Sequence, residues 1–118
     1  DHPGIKLIRL HGGGYLPFYC SRADHTWEVR PETRVSIPDH PPSTYMKRLF
    51  YDTMVFQPLY LRHLIEIVGS DRVMAGTDFP FDMGETDPVG LINATEGITD
   101  AEREAICGGT AARVFSLD

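Results

Sequence analysis

Six residues, Ile5-Lys6-Leu7-Ile8-Arg9-Leu10, run into His11 and then into three consecutive glycines, Gly12-Gly13-Gly14. A mostly apolar run of this length reads as a strand covered on both faces, and such strands belong to parallel sheets. The glycines force a turn and leave the imidazole at the strand's carboxyl end, where parallel α/β folds gather their chemistry. Their small size also allows a close backbone approach to a ligand. The second half of the chain echoes this arrangement. Arg72-Val73-Met74-Ala75-Gly76-Thr77-Asp78 is another short apolar strand, closing on a group that can take a proton or bind a metal, with Phe79-Pro80 behind it.

The intervening segments supply the crossovers. Tyr15, Phe18, Tyr19, Ala23 and Trp27 recur at three- and four-residue spacings, which predicts an irregular helix from Tyr15 to Glu28. Pro31, Pro38, Pro41 and Pro42 mark Arg30 to Pro42 as an excursion loop without regular structure, of a length that usually serves a site or an interface. Ser43 is placed to cap a short helix ending at Arg48, and Leu49 to Thr53 reads as the middle strand. Gln57-Pro58 opens a helix with Leu61, Leu64, Ile65 and Val68 on one face and Gly69 as its stop. The third strand, Asp71 to Thr77, follows within a few residues, so strand, helix and strand imply a right-handed parallel crossover. Beyond it come a helix from Thr86 to Ala94 and a helix capped by Thr99, which Gly108-Gly109 is predicted to break. A last helix runs from Thr110 to Phe115. Three βα units result, and a sheet of three such strands would show apolar edges on both sides. The chain therefore reads as part of something larger.

The 118 residues, 42% of them hydrophobic, suit one soluble globular domain. With 11 basic against 17 acidic side chains and a net charge of −6, no basic stripe is available for nucleic acid, which leaves small molecules or proteins as partners. No stretch approaches the ~18 apolar residues of a membrane span. Asp1-His2-Pro3 has no signal-peptide character, so the expected compartment is the cytoplasm. Cys20 and Cys107 have no CxxC partner and are expected as free, buried thiols.

Leu10-His11-Gly12-Gly13-Gly14, followed much later by Gly76-Thr77-Asp78-Phe79-Pro80-Phe81, resembles the carboxyl-terminal part of the amidohydrolase-related enzymes. That group contains aminocarboxymuconate-semialdehyde decarboxylase, γ-resorcylate decarboxylase and related hydratases and hydrolases. Tyr51-Asp52-Thr53, Val68-Gly69-Ser70-Asp71-Arg72-Val73 and Gly109-Thr110-Ala111-Ala112-Arg113 support the likeness, which runs through nearly the whole chain. The resemblance implies α/β architecture: residues 1–118 as a partial domain, about strands six to eight with their helices, of a metal-dependent (β/α)₈ TIM barrel. Such barrels usually take ~250 residues. The family holds its metal with an HxH pair, a further histidine and an aspartate after the last strand. Only the aspartate has a counterpart here, Asp78; no HxH occurs, and His2 precedes the first strand, out of place for the missing histidine. Thr110 stands where asparagine is usual, and Gln57 where aspartate is frequent before proline.

The resemblance implies that Asp78 ligates a divalent cation, zinc foremost with manganese as the variant, and also serves catalysis through metal-bound water. From the residues alone, Asp78 is equally a cap on the Phe79-Pro80 turn. His11 would be the general acid/base, its titration range lying near neutral pH; otherwise it is a strand-end histidine bonded to backbone. Arg22 falls where decarboxylase members carry an arginine that reaches a neighbouring subunit's site and pairs with a substrate carboxylate, which implies a homo-oligomer in a full-length parent. Its plain alternative is a solvated helix arginine. Phe79 would line the substrate pocket; Trp27 and Phe81 are pocket or core aromatics. His25, His40 and His63 lack ligand spacing. The implied activity is decarboxylation or hydrolysis of a small carboxylated aromatic or muconate-type substrate. The competing expectations are a non-enzymatic fragment or half-barrel, and a small α/β binding module whose strand edges the 30–42 loop covers.

Overall fold

The computed structural model describes residues 4–37 and 39–117. The amino-terminal Asp1-His2-Pro3 and Pro38 lie outside the described residues. Three parallel strands form a sheet in sequential order: β1 (Ile8–Arg9), β2 (Phe50–Asp52) and β3 (Val73–Met74). Ile8 and Arg9 pair with Phe50 and Tyr51, and Tyr51 and Asp52 pair with Val73 and Met74. The strands are shorter than the apolar runs predict. Residues 70–72 form a 3₁₀ turn, and the chain beyond Met74 is held by other bonds.

Because side chains alternate along a strand, each face of the sheet has its own partners. Tyr51 and Val73 pack on Leu61, Leu64, Ile65 and Val68 of the helix α4 described next, together with Ile92 and Ile106. Phe50 and Met74 meet Val114 on the other face, with Ile8 and Ala111 beside them. The helices are α1 (Tyr15–Phe18), α2 (Cys20–Val29), α3 (Pro42–Met46), α4 (Pro58–Val68), α5 (Pro88–Ala94), α6 (Asp100–Glu104) and α7 (Thr110–Phe115). Proline at its first position starts α4, and Gly69, at φ 94°, ends it. Its four buried aliphatic side chains each contribute about 1.5–3 kcal/mol of burial. Tyr51 is wholly buried and donates its hydroxyl to the Met46 carbonyl at 2.8 Å, tying β2 to the end of α3. Burial pushes that phenol up to about 12.

Several elements differ from the sequence expectation for local reasons. The 15–28 helix is two helices, interrupted at Tyr19. The 30–42 segment contains a 3₁₀ turn, Pro31–Arg34, folded back on α2: Arg34 lies over the Trp27 ring, and Trp27 Nε1 donates to the Ile37 carbonyl. It does not cover β1, where Ile5, Leu7 and Leu10 are exposed, so the binding-module expectation loses its premise. Ser43 does not cap α3; the helix starts on proline, and the Ser43 amide is taken by Asp24 Oδ1 at 2.8 Å.

Gly108-Gly109 does not break the last helix. Residues 105–109 form a π-helical turn that runs into α7, with the Thr110 amide donating five residues back to the Ala105 carbonyl. The same turn covers the β3 side of the sheet, where Ala75 N–H donates to the Ile106 carbonyl at 2.9 Å. Val73 is buried with Ile106 and Met74 with Val114, so among the described residues the β1 side is the bare one. Of the two cysteines, Cys20 is half-buried and Cys107 is exposed on the π turn, against the expectation of two buried thiols.

Candidate active site

Beyond β1 the backbone turns left-handed for four residues, with φ of 57° at His11, 59° at Gly12, 81° at Gly13 and 60° at Gly14. Glycine adopts this freely, whereas a histidine there bears a cost of about 1–2 kcal/mol. A Cβ on Gly12 would collide with Val55, and one on Gly13 would stand 2.6 Å from the Tyr51 ring. The room expected beside His11 is thus filled at two of the three glycines by the protein's own side chains. Gly14 alone faces open space.

Asp52, at the end of β2 and only 6% exposed, fastens this turn. Its Oδ2 accepts the His11 N–H at 3.0 Å, and its Oδ1 accepts the Gly12 N–H at 2.7 Å and the Met54 N–H at 3.1 Å. These three charge-assisted bonds compensate the burial of the carboxylate. The next residue, Thr53, reaches the segment just past β3: its Oγ1 accepts the Gly76 N–H at 3.2 Å and donates to the Gly76 carbonyl at 3.4 Å. A Cβ on Gly76 would meet Asp52 Cβ at 2.9 Å, so glycine is required there.

Two residues past Gly76, Asp78 is again at positive φ, 56°, ahead of a cis Phe79-Pro80 bond. The turn is closed by other groups. Thr77 Oγ1 accepts the Phe79 N–H at 3.3 Å, and the Thr77 and Asp78 carbonyls accept from Glu85 at 2.9 Å and Phe81 at 3.0 Å. The Asp78 carboxylate does not cap the turn; its Oδ1 lies 3.4 Å from His11 Nε2. His11 is 61% exposed and Asp78 22% exposed at the side chain. No hydrogen bond engages the Asp78 carboxylate among the described residues, which leaves its oxygens available to a cation. No three His, Cys, Asp or Glu side chains converge there among the described residues, so Asp78 would supply one ligand of a set.

The remaining candidates are not gathered with this pair. Arg22 is exposed on α2 against Tyr15, Tyr19 and Thr26. Phe79, 86% exposed, and Phe81 line a separate cavity of about 630 Å³ that also touches Asp82 and Glu85. Trp27 is engaged under Arg34. His63 is exposed, yet its ring stacks on Phe18 with centroids 5.7 Å apart. Together with His11, Phe56 and Tyr60 it lines a mostly apolar cavity of about 720 Å³ between α1 and α4. Sequence reasoning used Asp52 only as part of a motif. A carboxylate between the apolar runs Leu49-Phe50-Tyr51 and Met54-Val55-Phe56 was the available signal, since a buried charge requires donors.

Parallel strands in chain order, each followed by helix, match part of a (β/α) barrel, and the imidazole and carboxylate meet beyond the strands' carboxyl ends, where such barrels carry their sites. Comparison with known proteins narrows the class: the chain belongs to the amidohydrolase family, whose model matches residues 1–117. It is 31% identical over 116 residues to 2-amino-3-carboxymuconate-6-semialdehyde decarboxylase of Dictyostelium discoideum, covering 98% of this chain and 32% of that protein. Among solved structures it is similar to 2,6-dihydroxybenzoate decarboxylase from Rhizobium, with a TM-score of 0.78 and 30% identity over 99% of this chain and 36% of that one. Dihydroxybenzoic acid decarboxylase from Polaromonas, solved with bound manganese and the inhibitor 2-nitroresorcinol, gives 0.76 and 27%, over 98% and 35%. The chain thus spans about a third of the length of the relatives it matches, and its fold corresponds to a partial barrel.

Proposed function

We propose that residues 1–118 are the acid/base-bearing third, strands six to eight, of a metal-dependent decarboxylase acting on a small carboxylated aromatic or muconate-type acid. The observation that carries this reading is the 3.4 Å approach of His11 Nε2 to Asp78 Oδ1 beyond the ends of two parallel strands. Decarboxylation breaks the bond between the carboxylate and its carbon. CO₂ leaves, the bonding electron pair stays on the carbon, and that carbon takes a proton. His11, with most of its side chain open, delivers the proton and is recharged from solvent. Asp78 would supply one ligand to a divalent cation, zinc or, as in the Polaromonas relative, manganese. When bound, such a cation would supply Lewis-acid polarisation of the substrate's oxygens. Phe79 and Phe81 offer aromatic faces to the substrate, and the exposed Arg22 offers a guanidinium to a carboxylate across a subunit boundary.

This reading requires an in-frame HxH upstream of residue 1. It is tested on the full-length protein by metal analysis and by CO₂ release from ortho-hydroxybenzoates and aminocarboxymuconate-type acids. Absence of bound cation, with activity retained in Asp78→Ala, would refute it. A second reading concerns the 118-residue chain by itself, as a non-enzymatic half-barrel; it rests on the incomplete ligand set around Asp78 among the described residues, and the exposed Ile5, Leu7 and Leu10 flanking β1 would make such a piece associate. Tight zinc binding by a folded monomer of these 118 residues would contradict it.

A further inference from the structure

We propose that Asp52 is a positioning residue for the reaction: its carboxylate holds His11 in the left-handed turn that aims the imidazole at Asp78. The inference rests on the reading of His11 as proton carrier. Three observations lead to it. The Asp52 oxygens receive the amides of His11 and Gly12, the two residues that begin the turn, at 3.0 and 2.7 Å. Successive amides in a left-handed turn converge on one point and make a concavity suited to an anion. His11 is a non-glycine residue at positive φ, a conformation that persists only where the surroundings impose it. Asp52 also touches the other arm of the site, because Gly76 lies against its Cβ and Thr53 bonds Gly76 on both its N–H and its carbonyl.

The bonding of Asp52 separates this role from its alternatives. Both oxygens are occupied by backbone amides and the residue is buried, so it does not touch substrate. No lysine or arginine forms an ion pair with it among the described residues. A carboxylate suits the place because both of its oxygens accept; an asparagine would keep one acceptor and turn an NH₂ toward an amide N–H.

The test uses the full-length enzyme with Asp52→Asn, Asp52→Ala and His11→Asn, read by steady-state kinetics per folded, metal-loaded site and by amide hydrogen exchange over residues 11–13. Asp52→Ala is expected to lower kcat about 100-fold, as for a displaced catalytic group, with KM within about threefold. Asp52→Asn, retaining one acceptor, is expected to recover part of that loss. Exchange at His11 and Gly12 is expected to quicken about tenfold or more, while α4 stays protected. Wild-type kcat in Asp52→Asn, together with an Asp52→Ala protein that only folds less well, overturns the positioning role. Unchanged exchange at residues 11–13 overturns the hold itself, whatever the activity. Full activity in His11→Asn removes the proton-carrier reading instead, a separate failure that leaves the exchange result to decide the hold.

Discussion

The imidazole and carboxylate that stand 3.4 Å apart come from residues 67 positions distant in the chain, and both are held at positive φ. In the proposed reaction, His11→Asn removes the proton carrier and is expected to lower kcat by about 10²–10⁴, checked by CO₂ release with metal content held equal. The glycines beside His11 give a contrasting pair. Gly13→Ala brings a Cβ within 2.6 Å of the Tyr51 ring at φ 81°, while Gly14→Ala meets nothing within 4 Å at φ 60°. Thermal melts are expected to show losses of roughly 2–4 kcal/mol for the first and 1–2 kcal/mol for the second. Equal losses would mean that Tyr51 does not set the requirement for glycine. Much of the pair was legible in the sequence, because His11 and Asp78 each follow a short apolar run and precede a turn. Asp52 was not, since two of its three partners are backbone amides some forty positions away, and no side-chain pattern announces those.

Among the elements, those governed by adjacent residues follow the sequence closely, and those governed by distant ones do not. Thr99 and Glu102 form a reciprocal capping box at the start of α6, entirely local: Thr99 Oγ1 accepts the Glu102 N–H at 3.2 Å and the Glu102 carboxylate accepts the Thr99 N–H at 2.7 Å. The Thr99 backbone N–H, then its hydroxyl, lowers the Glu102 pKa from its usual value. That contribution is therefore present above the ordinary glutamate pKa and is lost as pH falls through the lower folded value. Thr99→Ala is expected to cost about 1 kcal/mol at neutral pH and less in acid, measured by denaturant melts at both. The Gly108-Gly109 pair, by contrast, misled because a π turn absorbs both glycines and keeps Ile106, Thr110 and Val114 facing the core. Ser43 misled because a carboxylate nineteen residues earlier claims its amide.

The junction of β2 with α3 carries a pH signature of opposite sign. Tyr51, fully buried, titrates at about 12 instead of 10, so the neutral phenol stabilises the fold below pH 10 and that stability is lost as pH rises through 12. The shift corresponds to about 2–3 kcal/mol. Tyr51→Phe removes the bond to the Met46 carbonyl, at about 1 kcal/mol near neutrality, and should flatten the alkaline decline. Persistence of the same decline in Tyr51→Phe would assign it to another group.

The molecule as a whole is unequal at its two sheet edges, and this decides how the isolated chain should behave. On the β3 side the π turn supplies a hydrogen bond to Ala75 and packs Ile106 with Val73, while Val114 of α7 packs with Met74 on the other face. On the β1 side nothing among the described residues covers Ile5, Leu7 and Leu10. An exposed apolar edge strand is a template for pairing, and the lysine on this segment, Lys6, is committed to the Val114 carbonyl at 2.7 Å. Within a closed barrel that edge would pair with the preceding strand. The 118-residue chain alone is therefore expected to self-associate and to show no decarboxylase activity. Leu7→Lys combined with Leu10→Lys should shift it toward monomer in sedimentation velocity runs. In the proposed full-length enzyme the same pair of substitutions should reduce the yield of folded, metal-loaded protein, because in a closed barrel the edge would be an internal seam. A stable monomer of the unmodified chain at tens of micromolar, or a full-length double variant with normal yield and metal content, would show that β1 is a true boundary of the fold and would remove the structural ground for placing these three strands in a larger barrel.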